Sequence, residues 1–502
     1  GGPYTNEAVG AENYGTISYM VESPHEMGVF YTGSDDGLVY RTKDNGVNWE
    51  NVTPKGLEET LINSIEVSPH DPATVYIATT RYKFNDFTPA LYKSTNYGQS
   101  WKLISKTLPK EAYTKVVRED TARKDLLFAG TVEGVYASWD GGLHWKSLQL
   151  NLPQTPITDL KVAHNDLVVA TQGRSFWILD DLEFLRQTEG QAANNTKLYT
   201  PTAAFWAHWY SSMNCNSPSG QDSFEGVNPA TGMVLYYELN DASKEQPIHL
   251  QILDAEGRLV NEFHSDKDPN YKSYEGAPSP PKTLMNEKGL NRFVWNLRHR
   301  SLPGAPEVYI EGSYSGHKAI PGRYTIRLKQ GELILETKAE IIPNPEISLS
   351  KEDYQVYHEF MSAGEAAYTE MTMLTNRMYS TQQRLKQLLK KLDQDGLKKL
   401  HMQGKNLLKA MSDWDAKMVQ RLSKAYDDVE NYENGFTAHY ITLINQVDSD
   451  IPKITVGAQS RMKELNAEWA VLKKEGQAIQ SDLIPAFNQA CYEQGIGVLP
   501  QP

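Results

Sequence analysis

Four acidic residues lie in short polar segments between strand-forming runs, where carboxyl groups can act on a bound substrate. They are Asp35 and Asp36 in SDDG, Asp86 in TTRYKFNDFTP, and Glu133 in TVEG. A glycosidase needs two carboxyl groups, about 5–5.5 Å apart for retention or about 6.5–9.5 Å apart for inversion. Asp35 or Asp36 could form such a pair with Asp86 or Glu133. We therefore take these four residues as candidate catalytic residues.

Basic and aromatic residues occupy the same kind of segment and are typical of a binding surface. They are Arg81, Tyr82 and Lys83 in the second segment and Arg174 in a fourth, TQGR. Charged groups orient the polar atoms of a ligand while rings stack on its apolar faces, so this combination suits a sugar or a peptide. Two arginines do not make the cluster with which a sialidase would hold a carboxylate.

An eight-residue pattern, Ser/Thr-x-Asp/Asn-x-Gly-x-x-Trp, occurs three times, as TKDNGVNW, STNYGQSW and SWDGGLHW. Asp or Asn fixes a tight turn by accepting hydrogen bonds from nearby backbone N–H groups, and glycine supplies the positive φ that such a turn requires. We predict that this repeated turn is structural and that its tryptophans pack between neighbouring sheets. The residues are Asp44, Gly46, Trp49, Asn96, Gly98, Trp101, Asp140, Gly142 and Trp145.

The spacing of the repeated turn predicts a β-propeller. The copies begin at residues 42, 94 and 138, so they are 52 and 44 residues apart, the length of a four-stranded blade. A fourth β-rich run, DLVVATQGRSFWILDD, lacks the pattern. The predicted blades span residues 15–57, 62–108, 114–152 and 157–200. If the repeated turn joins strands three and four, the turns between strands two and three lie on the opposite rim, where the candidate residues would converge.

The pattern resembles the Asp-box (BNR) repeat of sialidase-like propellers. Residues 1–200 look more closely like the repeat-bearing part of bacterial proteins related to the sortilin ectodomain. GRSFWILDDLEFLRQ and IPAFNQACYEQGIGVL look like the propeller exit and the C-terminal end of that group. Such proteins are often labelled glycosyl hydrolases because xyloglucan-degrading enzymes share the repeat. The resemblance implies the fold, whereas one fold supports several functions.

Four blades are fewer than the usual sortilin-like or sialidase-like ring contains, although four-bladed propellers exist. An unclosed ring exposes strand edges, which proteins normally cover. We therefore predict that missing blades upstream of Gly1, or another chain, complete the propeller of residues 1–196. The chain starts with Gly1 rather than Met and shows no signal peptide, so we expect a processed product or part of a longer protein.

For residues 197–347 we predict an immunoglobulin-like β-sandwich, because strands with alternating apolar and polar residues are joined by hairpin turns at DAEG and KQGE. Residues 348–502 predict an antiparallel helical bundle or coiled-coil arm with apolar heptad stripes. SKED, with Ser350 and Asp353, indicates a helix start, and Gly396 a helix stop. The stripes either pack against one another or form a groove for a protein partner. The complete fold is thus mostly β plus α.

The composition argues against several classes of function. A net charge of −13 disfavours DNA or RNA as the main partner, and no apolar run is long enough to span a membrane. The two cysteines, Cys215 and Cys491, leave a long-range disulfide or two free thiols open. His25 and His70 recur at equivalent blade positions, which favours a role in turns over metal binding. We predict no cofactor and no metal site.

A well-specified framework without a recognisable catalytic constellation favours a non-catalytic binding or scaffold protein. We expect a bacterial protein that is secreted, periplasmic or on the outer cell surface, with a propeller that binds a peptide, a protein or a glycan. The sandwich and the helices would position it or contact partners. The alternative is a glycoside hydrolase that acts on a polysaccharide with its rim carboxylates, as the resemblance implies.

Overall fold

The computed structural model describes residues 14–190, 195–207, 229–241, 246–269, 271–394, 397–449, 451–497 and 499. The chain divides into two compact units, residues 1–192 and 193–502. The predicted boundary near residue 347 falls inside the second unit. Cys491 is buried and Cys215 lies outside the described residues, so both alternatives for the cysteines stay open. Within the described ranges, no helix has the length and apolar character needed to cross a bilayer.

In the described part of the first unit, residues 14–190, four antiparallel sheets follow one another along the chain. Its elements are β1 (Ile17–Glu22), β2 (Phe30–Ser34), β3 (Val39–Thr42), β4 (Glu50–Asn51), β5 (Leu61–Val67), β6 (Val75–Arg81), β7 (Asp86–Ser94), β8 (Lys102–Leu103), β9 (Thr114–Glu119), β10 (Leu127–Thr131), β11 (Val135–Ser138), β12 (Lys146–Ser147), β13 (Ile157–Ala163), β14 (Asp166–Thr171), β15 (Phe176–Leu179) and the helix α1 (Glu183–Arg186). Strands β1–β4, β5–β8, β9–β12 and β13–β15 form the four sheets, and neighbours in sequence are neighbours in each sheet.

Successive sheets pack against each other because their strands carry apolar residues on both faces. β6 (VYIATTR) is buried up to its last residue and β10 (LFAGT) over its whole length, as expected for strands covered on two sides. Tyr31 and Ile65 belong to the core between sheets one and two, Leu91 and Leu127 to the next, and Phe128 and Val169 to the third. This is the arrangement of propeller blades.

The fourth sheet is shorter than predicted. The expected blade ran to residue 200, but the sheet ends with β15, and Lys197–Leu198 pair instead with Tyr237 and Glu238 in the second unit. After β15 the chain forms α1, whose Arg186 Nη2 lies 2.8 Å from Oδ2 of the buried Asp120. The helix thereby anchors the end of the fourth sheet to the third.

Each copy of the repeated turn joins the third and fourth strands of its sheet, as predicted. In the first copy, Thr42 Oγ1 accepts a hydrogen bond from Gly46 N at 2.9 Å and Asp44 Oδ1 accepts one from Asn48 N at 2.8 Å. The equivalent bonds recur in the other two copies. Gly46 has a φ of +90°. The turn is therefore fixed both by the first residue of the pattern and by its Asp or Asn.

The three tryptophans of the repeated turn have two different environments. Trp101 Nε1 donates to Val52 O, and Trp145 Nε1 donates to Ile104 O, each at 2.7 Å. Both acceptors belong to the preceding sheet, just beyond its last strand. Trp49 Nε1 instead donates within its own turn, to Gly46 O at 3.1 Å, and the residue is 43% exposed. The indoles of the second and third copies thus contact the preceding sheet, and the described residues contain no sheet before the one that carries the first copy.

His25 and His70 link sheets in the opposite direction. His25 Nε2 is hydrogen-bonded to Ser68 O and His70 Nε2 to Asp120 O, each at 2.8 Å. Each ring reaches from the loop between strands one and two of its own sheet to the equivalent loop of the next. The role in loop structure predicted from the sequence is confirmed.

The described residues of the second unit form two sheets and a series of helices. Its elements are β16 (Lys197–Leu198), β17 (Ala204–Phe205), β18 (Met233–Leu239), β19 (Ile248–Leu253), β20 (Leu259–His264), β21 (Gly289–Trp295), β22 (Gly322–Gln330), β23 (Leu333–Ile342), α2 (Lys351–Gln394), α3 (Lys398–Met418), α4 (Phe436–Val447), α5 (Val456–Ala478) and α6 (Ile484–Tyr492), with a π-helical turn at Ile479–Leu483. The strand orders are β16-β18-β21 and β17-β23-β22-β19-β20. The predicted hairpins join β19 to β20 and β22 to β23.

The two sheets and the helices share one hydrophobic core. Phe263 on β20 lies against Phe293 on β21, with ring centroids 4.6 Å apart. Trp206, just after β17, meets Tyr354 and Tyr357 of α2 edge to face, at 5.4 and 6.2 Å. Strands and helices therefore form a single packed body.

The start of α2 and its apolar stripe follow the sequence expectations. Asp353 Oδ2 accepts a hydrogen bond from Ser350 N at 2.9 Å, and Ser350 Oγ accepts one from Asp353 N at 3.1 Å, which is a capping box. Gly396 lies outside the described residues. Heptad residues of three helices are buried in the shared core: Met371, Leu374, Met378, Leu385, Leu392, Leu400, Leu407, Met411, Trp414, Met418, Met462, Leu465, Trp469 and Leu472.

The contrast between the tryptophans can be tested with matched substitutions. Trp101→Phe should lower the free energy of unfolding by about 1–3 kcal/mol, because it leaves the Val52 carbonyl without its indole donor. Trp49→Phe should change it by less than about 0.5 kcal/mol, because this indole is half exposed. Urea denaturation of the full chain measures both. Equal losses for the two variants would contradict the assignment of inter-sheet contacts.

Candidate functional site

The rim consists of the turns between strands two and three of the four sheets, residues 35–38, 82–85, 132–134 and 172–175. Three of these turns are hydrogen-bonded to the segment that enters strand one of the same sheet. Asp35 N donates to Thr16 O at 3.0 Å, Val132 N to Tyr113 O at 3.1 Å, and Gln172 N to Pro156 O at 2.8 Å. The rim therefore includes these entry segments in addition to the four turns predicted from the sequence.

Asp35 and Asp36 hold the backbone of the first sheet. Asp35 Oδ1 accepts hydrogen bonds from Gly15 N at 2.8 Å and Thr16 N at 2.9 Å. Asp36 Oδ1 accepts a hydrogen bond from Ser34 Oγ. Asp36 therefore stabilises its own turn, and Asp35 links that turn to the segment that enters β1.

Asp86 contacts Arg81, another predicted site residue. Its Oδ2 lies 3.2 Å from Arg81 Nε, and its Oδ1 accepts a hydrogen bond from Thr88 N at 3.0 Å. The bond from the Thr88 backbone lowers the pKa of Asp86 below its ordinary value. Arg81 Nη2 also lies 2.6 Å from Glu58 Oε2. A general acid at neutral pH needs a raised pKa, so the environment of Asp86 favours a permanent carboxylate.

Glu133 and Arg174 lie in the third and the fourth turn of the rim. Glu133 N donates to Thr131 Oγ1 at 3.1 Å, and Arg174 N donates to Thr171 Oγ1 at 3.1 Å. The Arg174 side chain is exposed, as is Lys83 in the short 3₁₀ turn that follows β6. Arg81 and Asp86, which the sequence predicts separately as a binding and a catalytic residue, lie in contact with each other.

Three aromatic side chains form the most distinctive surface of the rim, and we call them the aromatic group: Tyr82, Phe87 and Tyr113. The rings of Tyr82 and Tyr113 are stacked with centroids 5.7 Å apart, and those of Phe87 and Tyr113 are 6.1 Å apart. Tyr82 is 42% and Phe87 43% exposed. Tyr82 is a binding residue predicted from the sequence, whereas the other two are not, because Tyr113 lies in an entry segment and Phe87 at the start of β7.

Apart from the aromatic group, a cluster of polar side chains lies where the first strands of the four sheets meet. Arg118 on β9 is buried. Its guanidinium lies 2.8 Å from Asp159 Oδ1 on β13, 2.9 Å from Tyr19 Oη on β1 and 3.6 Å from Glu66 Oε2 on β5. One side chain thus contacts all four sheets, and no motif in the sequence marks it.

Glu66 belongs to this cluster, and the pKa of its carboxyl group differs from the ordinary value. Burial raises the pKa of Glu66 to about 7, although the charge of Arg118 opposes the rise. The folded protein therefore binds the Glu66 proton more tightly than the unfolded chain does.

No protein-family model matches the sequence, and no curated protein matches it. Among solved structures, YCF48 bound to D1 peptide is similar at 18% identity and a TM-score of 0.26, covering 33% of this chain and 52% of that chain. The GH74 xyloglucanase from Xanthomonas campestris is similar at 14% identity and a TM-score of 0.29, covering 64% and 45%. The extracellular domain of a putative hybrid two-component system from B. thetaiotaomicron is similar at 12% identity and a TM-score of 0.27, covering 66% and 38%.

This chain spans about half the length of the YCF48 chain and less than half of the other two. At TM-scores below 0.5, these likenesses specify neither an activity nor a ligand.

Glu66 gives a test of the polar cluster through the pH dependence of stability. Because its folded pKa lies above its ordinary value of 4.5, its contribution to stability is fully present below that value and falls as the pH rises towards 7. The free energy of unfolding of Glu66→Gln minus that of the wild type should therefore be larger at pH 8 than at pH 5. Urea denaturation at the two pH values measures this, with the exposed Glu332→Gln as a control. An unchanged pH dependence in Glu66→Gln would contradict the assignment.

Proposed function

We propose that this chain is a non-catalytic binding and scaffold protein of the bacterial exterior or envelope, whose rim binds a peptide, a protein or a glycan. The observation that carries the proposal is the exposed aromatic group beside Arg81. Tyr82 and Phe87 both contact Tyr113, so the rings are held in place before a ligand arrives and lose little freedom on binding.

The chemistry of this surface favours an extended polymer with alternating apolar and polar parts. Sugar rings, proline and aromatic side chains all offer flat apolar faces that stack on exposed rings. Arg81 forms ion pairs with Glu58 and Asp86, and Lys83 adds a second basic side chain, which is exposed, next to Tyr82. We therefore favour a ligand that adds hydroxyl or acidic groups to those flat faces.

Substitutions in the aromatic group test the proposal. Tyr82→Ala and Tyr113→Ala should each weaken binding at least about tenfold, because each removes a stacking surface worth at least about 1.4 kcal/mol. A glycan array and an extended-peptide library identify the ligand for the wild type, and calorimetry then compares the variants. Tyr492→Ala, an exposed tyrosine of the second unit, is the control. Full affinity in both rim variants would reject this surface.

The glycoside hydrolase alternative makes the opposite prediction for catalysis. Asp35, Asp36 and Asp86 accept backbone hydrogen bonds or lie in an ion pair, which leaves them poorly placed as a general acid. We expect no release of reducing ends from xyloglucan or from a panel of plant and bacterial polysaccharides. Release that is lost in Asp86→Asn or Glu133→Gln would establish the enzyme and refute the non-catalytic function.

We also propose that further sheets of the same repeat cover the free sides of the first and the fourth sheet. Three observations support this proposal. Trp49 has no acceptor outside its own turn among the described bonds, Ile17 on β1 is 61% exposed, and Phe176 on β15, at the other end of the series, is 74% exposed. In a longer native protein or a complex, Trp49→Phe would then cost as much stability as Trp101→Phe. Mass spectrometry of the native polypeptide distinguishes one chain from two.

For the second unit, we propose an immunoglobulin-like sandwich joined to a helical bundle that positions the propeller or contacts a protein partner. The facing rings of Phe263 and Phe293 support the sandwich. Because the heptad stripes lie in the shared core, a protein partner would contact the outer faces of the helices.

A further inference from the structure

We propose that His299, His317 and His358 form a binding site for a transition-metal ion of the Zn²⁺ class. The three residues come from separate parts of the second unit: His299 follows β21, His317 precedes β22, and His358 lies near the start of α2. One ring nitrogen from each residue lies within 4.8 Å of the others. Three imidazoles with an open fourth position are an established ligand set for zinc.

Paired backbone segments hold two of the rings side by side. His299 N donates to His317 O at 2.9 Å, and Ala319 N donates to Leu297 O at 2.7 Å. The rings of His299 and His317 are consequently stacked, with centroids 4.0 Å apart and an angle of 12° between their planes. The third ring, His358, reaches the pair from the adjacent helix.

Glu365 orients His317 in the way that carboxylates orient metal-binding histidines. Its Oε2 lies 2.8 Å from His317 Nδ1, and its Oε1 accepts a hydrogen bond from His317 N at 2.6 Å. His317 is 1% exposed, so its ring has no alternative partner in bulk water. When Nδ1 carries the proton and donates to Glu365, Nε2 keeps its lone pair for a ligand bond.

The other ring nitrogen of His317 faces His358. His317 Nε2 and His358 Nδ1 are 2.9 Å apart. Two nitrogens that bind one tetrahedral Zn²⁺ at 2.0–2.1 Å are about 3.4 Å apart, so these two rings need to separate by only about 0.5 Å. The His299 ring must tilt out of its stack, since a ligated ion lies close to the plane of each ring.

The surroundings favour neutral rings and allow an ion to enter. Burial, and then the neighbouring His317 and His358, lower the pKa of His299 to about 2, and burial also lowers the pKa of His358. Neutral imidazole is the form that binds metal. The cluster borders an open pocket of about 880 Å³, whose lining includes His299, Arg300, His317, Glu365, Glu370 and Arg377. A fourth ligand of the ion would face this pocket.

The test is a titration of untagged, chelator-treated full chain with Zn²⁺ by calorimetry, and with Co²⁺ by visible absorption. The wild type should bind one ion with a Kd below about 1 μM and give the absorption bands of tetrahedral Co²⁺. His299→Gln and His358→Gln should each weaken binding at least about a hundredfold and lose these bands. Glu365→Gln should weaken it about 10- to 100-fold, because only the support of His317 is lost.

Two controls separate this site from other histidines. His439→Ala removes an exposed histidine of α4 and should leave both titrations unchanged. The double variant His249→Ala/His264→Ala removes a second cluster, in which His249 Nε2 lies 3.0 Å from Glu262 Oε2, and should also bind as wild type does. Circular dichroism without metal checks that every variant is folded.

Three results would overturn the proposal. They are no binding by the wild type below about 10 μM, unchanged binding in folded His299→Gln and His358→Gln, or loss of binding in the His249/His264 double variant alone. In any of these cases the three rings would be a hydrogen-bonded stack and no more.

Discussion

A sheet that carries apolar side chains on both faces must be covered on both faces, and the first unit is built around this requirement. Tyr31 and Ile65 share one core across two sheets, and Leu91 and Leu127 share the next. No single sheet could bury this surface alone. The repeated turn, with Trp101 and Trp145 reaching back one sheet, and the histidine loops reaching forward one sheet fix the spacing that the cores require.

The two ends of the strands differ in the contacts that their turns make. The end with the repeated turn and the histidine loops is occupied by links between sheets. At the other end, the turns are held mainly by bonds within their own sheet, such as Asp35 to Thr16. The side chains between those bonds, above all Tyr82 and Phe87, remain exposed. The binding function proposed for the rim uses these exposed side chains.

The parts of the fold that could be predicted from sequence are those with local causes. The repeated turn closes within eight residues, and the capping box of Ser350 and Asp353 within four, so their patterns are visible in the sequence. Arg118 contacts Tyr19, 99 residues away, and His317 contacts His358, 41 residues away. No short sequence motif marks contacts between residues so far apart in the chain. The acids of the turns are candidate catalytic residues in the sequence because their backbone donors, such as Gly15 and Thr16, are identified only by the fold.

The contact of Trp206 with Tyr354 and Tyr357 has a consequence for how the second unit comes apart. These rings lie at the junction of strands and helices within one continuous core. Neither half can separate without exposing the aromatic surface of the other, so the free energy of each depends on the presence of its neighbour. The second unit should therefore melt in a single cooperative transition, with strand and helix amides protected from hydrogen exchange to a similar degree.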